Sequence, residues 1–263
     1  MRLIWVILRK DWAEVFKNRF VMFTVAFLPL ILTLLPIIGL AVGGNETDMG
    51  DLEELGSAFN LEGLCAGVTD AECLQIFIVS QYMMLFMLIP LIIPITIASY
   101  SIVGEKTTRT LEPVLATPIS TFQLLIGKAL AAAIPAIVAT WLGYFIFVIG
   151  ISIVSAGPIV VERILAPEWL LAVFVLGPLL SVAAVSVAVM VSSRANDPRV
   201  AEQLSMLLLL PLMGLFIAQV AGLVLVDAKL ILWFALALVV IDAGLLGFAT
   251  QLFERETILT RWK

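Results

Sequence analysis

The sequence predicts an all-α polytopic membrane protein with six transmembrane helices, and three observations carry that prediction. Of 263 residues, 62% are hydrophobic and only 13% charged, with a mean hydropathy of +1.14. A soluble domain of this length does not have such a balance. Apolar runs able to cross a hydrocarbon core of roughly 30 Å recur at 20–42, 74–103, 122–154, 169–191, 203–226 and 229–250. The basic residues are segregated as well. Thirteen of the fifteen lie before span 1, around the segment between spans 2 and 3, after span 4 and after span 6, leaving Arg163 and Lys229 opposite. Such asymmetry places both termini and the segment between spans 2 and 3 in the cytoplasm. That distribution matters more than the net charge of −5. Residues 1–263 thus read as a single transmembrane domain in the plasma membrane.

Residues 1–19 read as a helix lying on the membrane. Ile4, Trp5, Leu8, Trp12, Val15 and Phe16 share one face, with Arg2, Arg9, Lys10, Glu14 and Lys17 on the other. Two tryptophans and a basic polar face suit the interfacial zone. A signal peptide is the competing reading, but the apolar run that follows is too long for one and five further spans come after it. The first span ends at Gly43-Gly44, and an external acidic loop occupies 43–73, with eight acids and no Lys or Arg. Both cysteines, Cys65 and Cys73, fall in that loop. External thiols meet an oxidising environment, so a disulfide closing a short loop is one expectation and unpaired thiols without a role the other. The chain has no histidine, and the cysteine spacing is not a zinc pattern.

Pro90 and Pro94 should kink span 2 near its middle; span 3 contains Pro135 and span 4 contains Gly177-Pro178. Trp169 and Trp233 sit near the outer ends of spans 4 and 6, as an aromatic belt would place them. After span 4, Asp197 can cap a helix opening at Pro198, with Arg199 and Glu202 on its solvent-facing first turn. Asp242 is the one acid well inside a span. An unpartnered charge there costs at least about 2.5–3.5 kcal/mol, so it reads as a cation or proton site at a subunit interface, or as a structural acid bonded to another helix near Gln219 or Gln251.

The stretch 104–120, GEKTTRTLEPVLATPIS, combines both charge signs with two prolines and a short apolar stripe, between two apolar blocks. It cannot stay in lipid. It reads as a continuation of span 2 to about Thr110, a turn, and a second helix opening at Glu112-Pro113 that Pro118 ends one turn later. Leu111, Val114 and Leu115 fall at i, i+3 and i+4, giving that element one apolar face suited to a groove on a soluble partner.

This segment resembles the one that follows the second span in type 2 ATP-binding-cassette (ABC) exporter permeases, sodium-efflux-like and multidrug-type. Gly104, Glu105, Lys106, Thr110, Leu111, Glu112, Leu115, Ala116, Thr117 and Pro118 match that pattern in register. Pro113 and Val114 depart from it. The amphipathic start, the loop SSRANDPRVAEQL and the tail FERETIL are similar to the elbow helix, internal loop and juxtamembrane tail of the same permeases. The tail, 251–263, is then cytoplasmic. The resemblance implies a permease subunit of an exporter, with 104–120 as a cytoplasmic coupling hairpin docking on a separate ATPase. Gly104, Glu105, Arg109, Leu111, Glu112, Val114, Leu115, Ala116, Thr117 and Pro118 would make that contact. It implies as partners an ABC ATPase and a second permease chain, with membrane lipids around them, and no nucleic acid.

No phosphate-cradling glycine loop occurs; Gly104-Glu105-Lys106-Thr107 has the Lys and Thr without it. Without histidine there is no His-based triad, and a lone intramembrane aspartate excludes paired-aspartate proteolysis. The expectation is therefore a non-enzyme needing no cofactor of its own. The alternative, a stand-alone secondary transporter or channel, usually carries several polar or ionisable groups along its path.

Overall fold

The computed structural model describes residues 2–43, 67–108, 121–224 and 226–252. The regular elements among them are all helical, and six runs are long and apolar enough to cross a membrane. Helix α1 (Arg2–Val15) precedes the first span, α2 (Arg19–Gly43). The second span is α3 (Asp70–Phe86) followed by α4 (Ile89–Thr107), and the third is α5 (Thr121–Val154). Two short helices, α6 (Pro158–Ile164) and α7 (Pro167–Leu171), lead through a π-helical segment, Ala172–Leu176, into α8 (Gly177–Arg194). The fifth span comprises α9 (Pro198–Ser205), one 3-10 turn and α10 (Leu209–Val220); the sixth is α11 (Ala228–Leu252). Most of the acidic loop, residues 109–120 and the tail 253–263 lie outside the described residues.

Helix α4 is the centre of the bundle, packing against α8, α5, α9, α2 and α1. Its residues are apolar nearly all round and most are buried, as expected of a helix surrounded by others. By contrast α10 buries none of its residues, and α2 and α11 expose long apolar faces, Phe23, Phe27, Trp233 and Val240 among them. In a span such faces meet lipid or another chain.

The prolines shape the spans differently from a simple bend. Span 2 breaks at Met87-Leu88, and Pro90 stands in the first turn of α4, where a missing N–H leaves no bond unmade. Pro94 is different, because inside α4 it leaves the carbonyl of Pro90 without its helical donor. Ser181 on α8 supplies one, its Oγ donating to that carbonyl at 3.0 Å. Pro135 likewise orphans the carbonyl of Ala131, and the Trp12 indole N–H donates to it at 2.9 Å. Two helix-breaking positions are thereby turned into joints between helices.

Local signals behave as expected elsewhere. Asp197 caps α9, its carboxylate accepting from the Arg199 N–H at 2.7 Å, with Pro198 in the first turn. The fifth span ends at Gly222, whose φ of +68° lets the Leu223 N–H return to the Ala218 carbonyl at 2.9 Å. Within that span α10 runs unbroken through Pro211 and Gly214. Three side chains depart from expectation. Trp169 is buried and faces the bundle, not an interfacial belt. Glu202 is buried as well, accepting at 2.6 Å from Thr96 Oγ1. On α1, Trp5 is exposed, and the buried face is Ile7, Leu8, Asp11 and Val15.

Candidate functional site

The inner stretch of α4 ends four residues into the GEKTTRTLEPVLATPIS segment, and its polar side chains are fastened to four other elements. Glu105 is the hub. Its Oε1 accepts from Lys10 Nζ of α1 at 2.6 Å, and its Oε2 lies 2.7 Å from Lys128 Nζ of α5. Lys128 also donates to Asp11 Oδ2 at 3.3 Å and to Ser101 Oγ at 3.0 Å, and the Ser101 hydroxyl meets the same Asp11 oxygen at 3.3 Å. Asp11, Glu105 and Lys128 are all buried. Their charges can be held there because acids and bases alternate at contact distance.

The neighbouring Lys106 turns the other way. Its ammonium donates to the carbonyls of Ser193 and Ala195, at 3.2 and 3.1 Å, at the end of α8. A cation there completes unsatisfied carbonyls and meets the negative end of the helix dipole. Further up α4, Thr96 bonds Glu202 of α9. Helix α4 is thus tied to α1, α5 and α8 near its end and to α9 at its middle.

Close packing brings α1 into reach. It lies along the start of α5, where a Cβ on Gly127 would stand 2.9 Å from Ile7 Cγ2, so only glycine permits this approach. Burial pushes the Asp11 carboxyl above its ordinary pKa; the Lys128 ammonium pulls it back, and the Glu105 charge adds to the rise. For Lys10 burial acts downward, but the hydrogen bond and charge of Glu105 outweigh it and the net shift is upward. One oxygen of Asp11, Oδ1, is buried without a hydrogen-bond partner among the described residues. A cleft of about 350 Å³ opens beside the hub, between Glu14, Asn18, Tyr100 and Gly104.

Of the residues singled out from sequence, Gly104 and Glu105 fall within this cluster. Arg109, Leu111, Glu112, Val114, Leu115, Ala116, Thr117, Pro118 and Cys65 lie outside the described residues. Cys73 is buried near the start of α3. Asp242 is buried on α11 away from the cluster, and neither of its carboxylate oxygens has a hydrogen-bond partner among the described residues. Gln219 therefore does not donate to Asp242, and its own Oε1 is likewise without a partner among the described residues.

Asp11 and Lys128 were not legible as site residues, yet each left a trace. Asp11 is an acid between Leu8, Trp12 and Val15 on the apolar side of α1, and Lys128 is a lone cation in the apolar run LLIGKALAAAIPAIV. A charge breaking an apolar pattern needs a buried partner.

Six apolar spans, with a buried charge cluster at the end of the central one, define a multi-pass helical membrane protein. The chain belongs to the ABC-2 transporter family, whose model, described as ABC-2 family transporter protein, matches residues 5–253. It is accordingly a membrane-embedded permease subunit of an ABC transporter, a class that works with an ABC ATPase. Comparison with curated proteins returned no match.

Proposed function

We propose that this permease works as an exporter, with two permease chains lining one pathway and separate ATPase subunits driving it. One six-span chain supplies half of such a pathway. Export, as a direction, is supported by the likeness of 104–118 to the exporter pattern. The charge asymmetry supports placement in the plasma membrane with both termini cytoplasmic. Within this reading α1 is the interfacial elbow, and 104–120 is the coupling hairpin.

The observation that carries the proposal is the fastening of Glu105. It lies at the entry to the coupling segment and is held by Lys10 of α1 and Lys128 of α5. A push on the hairpin is then delivered to three helices together. The apolar wedge of Leu111, Val114 and Leu115 buries against the ATPase, and Arg109 and Glu112 at its rim set register and association rate more than affinity. Gly104, Ala116, Thr117 and Pro118 shape the wedge. Asp242 holds a proton or a cation, or serves as a structural acid, since a bare carboxylate in a span is costly. Cys65 and Cys73 close the external loop as a disulfide.

Leu115→Asp tests the wedge. Burying one leucine is worth about 1.5–3 kcal/mol, and the variant adds a charge that must be desolvated. It should insert and dimerise normally, because nothing in lipid has changed, yet lose the co-purifying ATPase or its cargo-stimulated turnover. Unchanged ATPase binding together with unchanged stimulated turnover would show that the hairpin is only a loop.

A further inference from the structure

A cavity of about 260 Å³ lies between the second, fourth, fifth and sixth spans. Every residue lining it is apolar, and none is ionisable. Its inner wall includes Met84 and Leu91, both fully packed on their other sides. Its exposed lining residues, Pro211, Phe234, Ala237 and Ile241, belong to α10 and α11, so the mouth opens between the fifth and sixth spans. Between two spans such a mouth meets lipid or another chain, and not water.

What fills such a space follows from its size and lining. Apolar cavities stay dry; one of about 150 Å³ lined by Leu, Ile and Phe takes up benzene or xenon in place of water. Left empty, the lining atoms forfeit their dispersion contacts on that side. A protein helix, about 10–12 Å across with its side chains, is too wide to enter; at roughly 30 Å³ per water molecule the space amounts to only a handful of solvent molecules. A flexible string of methylenes fits.

We propose that this cavity is an alkyl-chain site, which a single hydrocarbon tail enters between the fifth and sixth spans while its polar head stays outside. No lining side chain is charged, and the Trp169 indole N–H is the one polar side-chain group among them, so the site selects on chain length and shape. Lipid tails are as apolar as leucine, so entry gains packing but no hydrophobic free energy. The tail therefore exchanges with the bilayer. The wall has one adjustable element: Trp169 and Ala172 lie where α7 passes into the five-residue π-helical segment ahead of Gly177-Pro178. Such π segments are frequent at functional sites, and relaxing one to α geometry re-aims the side chains along the wall.

The proposal needs only that the six spans lie in lipid, so it stands apart from the ATPase-coupling reading. Two sources could supply the tail: a bilayer phospholipid, or a single-chain amphiphile that is itself cargo. The full chain, reconstituted in phospholipid nanodiscs, is photolabelled in one arm with a phospholipid carrying a tail diazirine. The other arm uses a single-chain amphiphile carrying the same group. Adducts at Met84 and Leu91 are compared with those at lipid-facing Phe23 and Phe27 of α2. Labelling of the cavity pair should exceed that of the α2 pair in at least one arm, and the arm that labels identifies the source. Ala237→Phe, which narrows the mouth from an exposed position, should cut cavity labelling several-fold and leave α2 labelling unchanged. Leu212→Phe, from the facing span, should do the same if Ala237→Phe does not insert. Cavity labelling at or below the α2 level in both arms would overturn the proposal, as would labelling indifferent to both variants. A disulfide-linked dimer formed through Ala237→Cys would place a second copy over the mouth and overturn it too.

Discussion

Lys128→Met is the sharpest probe of the charge cluster, because Lys128 bridges the two buried acids. Its ammonium lies 2.7 Å from Glu105 Oε2 and 3.3 Å from Asp11 Oδ2, and the three side chains are only 5%, 6% and 2% exposed. Solvent does not screen contacts so enclosed, so taking away one partner should cost about 3–5 kcal/mol. Lys10→Met also removes a cation from Glu105, but the Lys10 side chain is 37% exposed, and a pair so accessible is worth about 0–1 kcal/mol. The ordering is the prediction: Lys128→Met is far the worse, measured as the midpoint of thermal unfolding in detergent by fluorescence-detected size exclusion. It should also respond to pH. Without Lys128 the Asp11 carboxyl, already raised by burial, loses the charge that pulled it down. A carboxyl raised in the fold contributes most below its unfolded value of about 3.9 and less as pH climbs through the folded value. The deficit of Lys128→Met should therefore shrink on acidification. Removing all three buried charges together, as Asp11→Asn/Glu105→Gln/Lys128→Met, should recover most of the lost stability, since an unpaired buried charge costs more than none. If the clamp transmits the push, that triple variant stays folded but uncoupled. Equal midpoints for Lys128→Met and Lys10→Met at neutral pH would refute the reasoning.

Trp12→Phe leaves the buried Ala131 carbonyl without a donor and should cost about 1–3 kcal/mol; Pro135→Ala restores the backbone N–H, so the double variant should lose less than Trp12→Phe alone. Asp242→Asn keeps the shape and removes the charge, and transport measured across pH and sodium concentration should lose its dependence on one of them; an unchanged profile leaves Asp242 a structural acid. Intact-mass analysis after alkylation, with and without reductant, should show Cys65 and Cys73 protected until reduction, whereas two alkylated thiols in unreduced protein would mean no disulfide.

The sequence by itself determined the number of spans, the separation of charges and the end-signals of individual helices. Those are properties of contiguous residues: hydropathy summed along a run, or a cap such as Asp197 before Pro198. It also placed GEKTTRTLEPVLATPIS beside the central span, because both charge signs in one short run cannot remain in lipid. Which faces meet was left to the tertiary structure. A helix such as α4, apolar all round, carries no stripe from which a partner could be read. Asp11 lies 90 or more residues from Ser101, Glu105 and Lys128, which it joins where α1 meets α4 and α5, so only packing could turn an odd acid and an odd lysine into one site. The same holds for Trp12 and Ser181, since a proline announces an orphaned carbonyl but not which distant side chain will donate to it. The cavity beside Met84 belongs to the fold alone, because a void arises where four helices fail to meet, and no single residue records it.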